Sequence, residues 1–368
     1  MTRDNRQNTL RRIAGQLVIP GLALATAMII SIPIIGFATN WDWAKIGATY
    51  GGLLDGALLK KNAFANTLVA STPLIFTGLA LALGFRGGVF NIGAAGQFLI
   101  GATCGVFVGY AMPLPAAIHS LAALLAGAIG GSLWAAIPGF LKARFGSHEV
   151  INTIMFNYLA FFLQDWLVKN PMKDPSPSVS RTPTILDTAI LPRLLGRLHI
   201  GFVLALLAAL LVWWLLWKTT LGFELRTVGS NPDAAKYAGI KPGLTIVLSM
   251  ALSGAIAGLG GVVQILGVDY HMPTLYSTDY GFDAIPVALL GQNQPLGVIF
   301  AAILFGALRN GSDLMQLRSG GVVSKEVIFI IQAVVLLFIA VPAIIRWLYR
   351  LKLRKSALEG TRLTRGWG

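Results

Sequence analysis

The sequence predicts an all-α polytopic membrane protein of about ten transmembrane helices, some broken or half-length, with the N- and C-termini cytoplasmic. Three observations predict this. Hydrophobic residues make up 55% of the chain and charged residues only 12%, with a mean hydropathy of +0.70. A soluble domain carries about 25% charged residues, and half that density cannot cover a water-facing surface. Apolar runs of spanning length recur along the chain, and the basic residues fall mostly outside them. The 42 glycines suit close helix approach and interrupted helices in lipid.

The elements follow in order. A basic tail, 1–12, carries Arg3, Arg6, Arg11 and Arg12 and precedes the first span, 13–36. That run is longer than a signal-peptide core and is closed by no small-residue cleavage pattern, so it reads as retained. An interfacial stretch with Trp41, Trp43 and Tyr50 leads to spans at 64–84, 89–110, 114–141 and 148–168. A Pro-rich polar loop, 169–199, falls outside the membrane by this count. A span at 200–217 ends in Trp213, Trp214 and Trp217, residues typical of a membrane interface. The polar segment 218–241 falls on the cytoplasmic side, followed by a span at 243–267. A half-span near 282–291, a run at 296–310 and a last span at 325–345 complete the transmembrane domain, 13–345. The basic C-terminal tail, 346–368, matches the N-terminal one in charge, and positive residues favour the cytoplasmic side. The long basic outer loop is the one strain on that rule.

The formal net charge of +14 is thereby explained mainly by topology. No nucleic-acid partner is implied, because no aromatic residues interleave the terminal arginines. Cys104 is the single cysteine, and the four histidines are scattered, so neither a disulfide framework nor a metal site is expected. There is no phosphate-binding G-x-x-x-x-G-K-[ST] loop and no G-x-S-x-G or H-E-x-x-H motif. The chain is therefore expected to be no enzyme and to bind no cofactor of its own. Its power comes from an ion gradient or from another chain.

Four segments carry more specific information. Residues 84–101 place Arg86, Asn91 and Gln97 among glycines between two spans. Such a break exposes backbone groups at depth, where they line a polar path or are covered by protein. Both readings, solute contact by Asn91 and Gln97 or a tightly packed hairpin, stand at this point. Residues 219–241 hold Glu224, Arg226, Asn231, Asp233, Lys236 and Gly239. Asn231-Pro232-Asp233 has the form of a helix start, and Gly239 of a stop. A short helix between spans suits docking into a partner's groove; a solvated connector is the plainer alternative. Residues 281–311 interrupt an apolar run with Pro286, Gly291, Pro295 and Gly297 and put Asn293 between two half-length helices. At 148–157, Asn152 and Asn157 lie on a helix and need partners, either across helices or in a solute path. Asn66, Ser71, Ser253 and Gln264 are further polar positions inside spans. No span is expected to hold a conspicuous buried Asp, Glu or Lys, which weighs against a proton-coupled carrier. An intramembrane enzyme lacks its catalytic groupings.

Four stretches together resemble the sugar/nucleoside branch of bacterial ABC importer permeases: Phe90 to Gln97, Gly222 to Gly239, Ser253 to Gly261, and Ala288 to Asn293. The resemblance runs from about 10 to 350 and is similar above all to the larger of two nucleoside-uptake permeases. It implies an all-helical permease paired with a second related permease. It also implies two cytoplasmic ATPase subunits that carry ATP and Mg, with 222–239 containing the coupling helix. An extracytoplasmic substrate-binding lipoprotein would deliver a nucleoside or related small polar solute, and the location would be the bacterial cytoplasmic (inner) membrane. Importers of simple sugars or branched-chain amino acids share the architecture. Ala95 departs from the pattern, which often has an acidic residue there.

Overall fold

The computed structural model describes residues 3–176, 180–276 and 279–340. The tail 346–368 and the end of the last span lie outside them. The chain packs as two units, residues 61–307 and the flanking segments 1–60 and 308–368.

In the flanking unit, α1 (Arg3–Ala38) packs on α13 (Val327–Ala340), burying Ala23 against Phe338. The stretch read as interfacial, with Trp43 and Tyr50, forms helix α2 (Trp43–Leu54), prolonged by a π-helical turn, Asp55–Leu59. Asp42 caps it by accepting from the Ala44 and Lys45 amides at 3.0 and 3.3 Å. Its glycines supply the contact: a side chain at Gly52 would strike the Leu314 carbonyl, and one at Gly56 the backbone of Gly311. This contact also explains why α12 (Pro295–Arg318) continues past the expected end at 310. Polar residues interrupt the hydropathy there, but they are paired. Asn310 donates to the Gly56 carbonyl at 2.8 Å, and Arg318 meets Asp55 at 2.5 Å.

The larger unit holds α3 (Ala63–Arg86), α4 (Ala94–Ala111), α5 (Ala116–Phe145), α6 (Glu149–Lys169), α7 (Gly201–Lys218), α8 (Thr220–Ser230), α9 (Pro232–Tyr237), α10 (Pro242–Gln264) and α11 (Tyr280–Leu290), with the start of α12. One addition to the expected all-α fold is a small antiparallel hairpin, β1 (Arg193–Leu195) with β2 (Leu198–His199), inside the 169–199 loop.

The core is a three-helix seam of α4, α5 and α10. Gly101 and Gly105, Gly127 and Gly131, and Gly254 and Gly258 form three pairs at small-xxx-small spacing. Such pairs let backbones touch where lipid offers no hydrophobic drive for association. A Cβ at Gly101 would fall on the Gly258 backbone, one at Gly131 on the Gly254 carbonyl, and one at Gly258 on the Gly127 carbonyl. The opposite face of α5 presents exposed Leu121, Leu125, Ile129 and Leu133, an apolar stripe at helical spacing suited to lipid.

Contacts sort the unit into two ends. At one end, the 169–199 loop crosses α4 and α5. Leu186 donates to the Gly109 carbonyl at 2.9 Å, and buried His119 bridges Thr188 Oγ1 at 2.7 Å and the Val108 carbonyl at 3.0 Å. His199 sits there too, in a slot between Gly201 and Gly267. At the other end lie Arg86, Trp217 and α8. Among the described residues, seven helices are long and apolar enough to span a membrane: α1, α3, α4, α5, α7, α10 with its π-helical extension, and α12.

Two predictions follow from packing and burial. Gly258→Ala and Gly131→Ala should each destabilise by about 1–3 kcal/mol through overpacking. Gly47→Ala, whose Cβ would meet nothing within 4 Å, should be neutral or stabilising by about 0.5–1 kcal/mol. Thermal unfolding in detergent reads the order, and equal effects would contradict the seam. Burial, then the nearby Arg193 charge, lower the His199 pKa from 6.5 to about 4. Its Nδ1 accepts from the Gly201 amide at 3.1 Å, which requires the neutral ring. The unfolded chain therefore takes up the proton first, and stability should fall as pH drops from about 6.5 towards 4. His199→Asn should flatten that slope; an unchanged slope would assign the pH dependence elsewhere.

Candidate functional site

The expected interruption of the helix lies at 87–93, between α3 and α4. Gly88 turns the chain with φ +73°, a conformation that costs glycine little. The loop is then fixed by Asn91, whose carboxamide uses all four of its hydrogen-bonding positions. Nδ2 donates to Gln97 Oε1 and to Ser253 Oγ, both at 2.8 Å. Oδ1 accepts from Gln97 Nε2 at 2.9 Å and from the Gly93 amide at 3.1 Å. Ser253 Oγ in turn donates a hydrogen bond to the Ala80 carbonyl at 2.6 Å. All three side chains are buried. Asn91, Gln97 and Ser253, distant in sequence, thus form one network that spends its hydrogen bonds inside the protein.

Asn157 on α6 secures the other side of the loop. Its Nδ2 donates to the Ile92 carbonyl at 3.0 Å, and its Oδ1 accepts from the Gly96 amide at 2.8 Å. A carboxamide from one helix therefore caps the first turn of another, satisfying an amide that α4 itself leaves orphaned.

The same residue borders an open cavity of about 330 Å³ at the protein surface, where Tyr158, Phe162 and Phe282 are exposed. α4 contributes Ala95, Gly96 and Leu99; α6 contributes Ile154, Asn157, Tyr158, Phe161 and Phe162; the segment entering α11 contributes Tyr276, Asp279 and Phe282. The walls are thus mainly apolar, five of the lining residues being aromatic, with one carboxamide and one carboxylate. Tyr276 is fixed from behind, its hydroxyl bonding Asp269 Oδ2 at 2.5 Å, and Gln264 donating to the same oxygen at 3.2 Å. Gln264 therefore supports a wall of the cavity without lining it.

The other polar candidates lie apart. Ser71 donates to the Thr67 carbonyl at 2.6 Å and packs on Gly306. Asn66 Oδ1 is buried with no hydrogen-bond partner. Asn152 donates to Ser147 Oγ at 2.6 Å at the start of α6. Asn293 lies in the turn between α11 and α12 with φ 53°. Sequence reasoning missed Asp279, Tyr276 and the aromatic face of α6. The spacing of Ile154, Tyr158, Phe161 and Phe162 around Asn157 was the available signal, because residues three and four apart share a helix face.

The 218–241 segment folds as two helices. The expected start at Asn231 is present: its Oδ1 accepts from the Asp233 and Ala234 amides at 3.0 and 3.1 Å, and Pro232 occupies the first turn. Gly239 ends α9 with φ +80°. Asp233, Lys236 and Tyr237 are exposed while Ala235 is buried, and Tyr237 is 95% accessible. α8, not expected as a helix, carries Glu224 and Arg226 and rests on the broken loop, where a Cβ at Gly229 would strike the Arg86 carbonyl. Arg86 ties this end together. It donates to the Asn293 carbonyl at 3.1 Å and the Gln292 carbonyl at 3.3 Å. Its guanidinium lies 5.4 Å from the Trp217 ring, and that of Arg226 lies 5.8 Å from the same ring. Contacts are thus continuous from α8 through Gly88 and Asn91 to Asn157 and the cavity.

Residues 63–340 match the family described as "Branched-chain amino acid transport system / permease component". The chain is 41% identical over 317 residues to the guanosine ABC transporter permease protein NupP of Bacillus subtilis, covering 85% of this chain and 90% of that one. It is 34% identical over 343 residues to the nucleoside ABC transporter permease protein NupB of Lactococcus lactis, covering 90% and 92%. It is also 34% identical over 302 residues to the glucose ABC transporter permease protein TsgB13 of Haloferax volcanii, covering 79% of each. No solved structure matches the chain.

Asn91→Leu should be among the most destabilising single changes here. It strands Gln97 and the Gly93 amide in a buried site, at about 1–3 kcal/mol for each group. Asn66→Leu removes a buried oxygen that has no partner and should cost less. Unfolding midpoints of the two purified variants provide the comparison, and a larger loss in Asn66→Leu would contradict the network.

Proposed function

Because the chain belongs to the branched-chain amino acid transport system permease family, we propose that this multi-pass membrane protein is the permease subunit of an ATP-binding-cassette importer that carries nucleosides across a bacterial cytoplasmic membrane. One observation carries the cargo reading: a cavity walled by Tyr158, Phe161, Tyr276 and Phe282 with few polar groups, Asn157 and Asp279. Aromatic faces stack well on a nucleobase, at about 1–3 kcal/mol per base, and a few placed polar groups fix orientation. The nucleoside and guanosine permeases among the relatives support the same cargo. The glucose permease relative favours a second reading, a simple sugar on the same aromatic walls.

Adding α6, α11 and α13 to the long apolar helices supports about ten crossings, with half-length helices among them. This count puts both chain ends, Arg86 and α8–α9 in the cytoplasm, and 169–199 outside. Two ATPase subunits that bind ATP and Mg dock on α9. A second related permease pairs with this one, and a substrate-binding lipoprotein delivers cargo to the outer end.

The mechanism is alternating access. ATP-driven closure of the ATPase pair displaces α9, and α8 moves with it. The Gly229–Gly88 contact passes that displacement to the 87–93 loop. Asn91 and Asn157 then carry it to the cavity wall, opening the cavity to one side and closing it to the other. The candidates Asn91, Gln97 and Ser253 act here by holding the loop, and Asn157 both holds it and faces cargo. Asn66, Ser71, Asn152, Gln264 and Asn293 serve the pathway as supports of its walls and turns.

Co-expression with the paired permease, ATPase and binding protein, followed by purification and ATPase assay, tests this reading. Nucleoside-loaded binding protein should stimulate hydrolysis; stimulation by a sugar alone would transfer the assignment to the second reading. Gly239→Val strains a residue at φ +80° by about 1–2 kcal/mol, and Asp233→Lys reverses an exposed charge. Both should abolish stimulation without changing the amount of protein in the membrane. Full stimulation in both variants would remove α9 from the coupling role.

A further inference from the structure

One exposed face of α7 changes character in a fixed order. Val203, Leu207 and Leu210 are followed by Trp214, at spacings of three and four that put them on one side of the helix. Trp217 continues that line and is half-buried, and Lys218 closes the helix. Apolar residues, then tryptophan, then a cation is the order of a leaflet from acyl chain to headgroup. α8 adds the exposed ring of Phe223 and, three residues on, Arg226. Two guanidiniums meet at Trp217, Arg86 at 5.4 Å and Arg226 at 5.8 Å from its ring, close enough to repel one another. Arg86 gives Nε and Nη2 to the carbonyls of Asn293 and Gln292, and Arg226 gives Nε to the Gly222 carbonyl at 3.3 Å. A guanidinium has five N–H groups, so donors remain on both. Among the described residues neither arginine forms an ion pair. Glu224 lies two residues from Arg226, a spacing that does not bring side chains face to face. The pair is thus two cations on an aromatic ring, at the end of an apolar stripe, without a protein anion.

We propose that Arg86 and Arg226 hold the phosphate of an anionic phospholipid at this end of α7, with its acyl chains along the stripe from Val203 to Trp214. A phosphodiester carries one negative charge and accepts paired N–H groups from guanidinium forks. It therefore relieves the repulsion between the two arginines and uses the donors they have left. Basic pockets between spans at the cytoplasmic surface suit such headgroups. A zwitterionic headgroup brings its own cation to a site that already holds two, and so binds more weakly. The choice of leaflet rests on the topology proposed above; the site and its chemistry depend on neither the cargo nor the ATPase. The consequence is mechanical. Arg86 ends α3 immediately before the 87–93 loop, and Arg226 lies on α8, so a shared phosphate ties the two helices where Gly229 meets the Arg86 carbonyl.

The test titrates the purified full-length chain in detergent with phosphatidylglycerol or phosphatidylcholine and reads the first bound lipid by native mass spectrometry. Wild type should bind phosphatidylglycerol more tightly. Arg86→Gln and Arg226→Gln should each weaken phosphatidylglycerol by about 5-fold, the worth of one basic residue at an anionic lipid surface, and leave phosphatidylcholine unchanged. Arg193→Gln, at an exposed position in the 169–199 loop, should change neither. Equal affinity for the two lipids in wild type, full affinity in both arginine variants, or an equal loss in Arg193→Gln overturns the proposal. Displacement of phosphatidylglycerol by inorganic phosphate would assign the arginines to a free anion and also overturn it. If Arg86→Gln does not fold, because two carbonyls lose their donor, Arg226→Gln and the charge reversal Arg226→Glu decide. The reversal should abolish the preference for phosphatidylglycerol, and a preference that survives it overturns the proposal. The same titration of the importer assembled with its partner subunits should give the wild-type preference. A preference lost on assembly means that a protein partner covers this face, and overturns the lipid site. Failure of the assembled complex to move a nucleoside is a different result, which would overturn the proposed cargo and leave the lipid site standing.

Discussion

The structure depends first on the contact of bare backbones along α4, α5 and α10. Lipid is as apolar as a leucine side chain, so these helices cannot be driven together by hiding apolar surface. They associate because Gly101, Gly127, Gly131, Gly254 and Gly258 remove the side chains that would keep them apart. Dispersion then acts over a long seam at close range. The consequence reaches beyond stability. With α4 and α10 in contact, Ser253 comes within hydrogen-bonding distance of Asn91, and the broken segment 87–93 acquires a fixed shape. A bulkier seam would move α10 away and leave that segment without its buried partners.

Irregular backbone buried among apolar helices survives only when its polar groups find partners. Here it is covered by two asparagines with different tasks. Asn91 closes the loop on itself and on α10; Asn157 fastens it to α6 at the edge of the cavity. A loop held at both ends by directional bonds transmits displacement rather than absorbing it, since packed, hydrogen-bonded elements have few alternative arrangements. The opposite margin, where Gly229 meets the Arg86 carbonyl and Arg86 meets the Gln292–Asn293 turn, joins the same loop to α8 and to the second interruption. The two interruptions of the hydropathy pattern are therefore mechanically one site. By its contacts the loop stands between α8 on one side and the cavity-lining Asn157 on the other.

Much of this is legible in the sequence, and what is legible is local. Spans appear in hydropathy because desolvation acts residue by residue. The start of α9 at Asn231 is readable because a cap and the amides it satisfies lie within three positions. Glycine at 88 and 239 marks left-handed turns for the same reason. The helical course of α2 and of the end of α12 was less legible, because polar residues and glycines there find their partners only across the fold, Gly56 at Gly311 and Arg318 at Asp55. The cavity was the least readable part. It gathers residues from three distant segments around positions 95, 157 and 279, and nothing about Asp279 in its own neighbourhood distinguishes it from a surface carboxylate. Asn91, Gln97 and Ser253 stand out as polar residues at depth, yet hydropathy cannot tell a group that faces solute from one that faces another amide.

The central claim is that this chain moves a nucleoside only as part of an ATP-driven assembly. Uptake of labelled guanosine into proteoliposomes tests it most directly, comparing the full complex with the chain alone. The account predicts uptake that requires ATP on the cytoplasmic side and loaded binding protein on the other, and none by the chain alone. Guanosine accumulation by the chain alone, driven by an ion gradient without ATP, would contradict it.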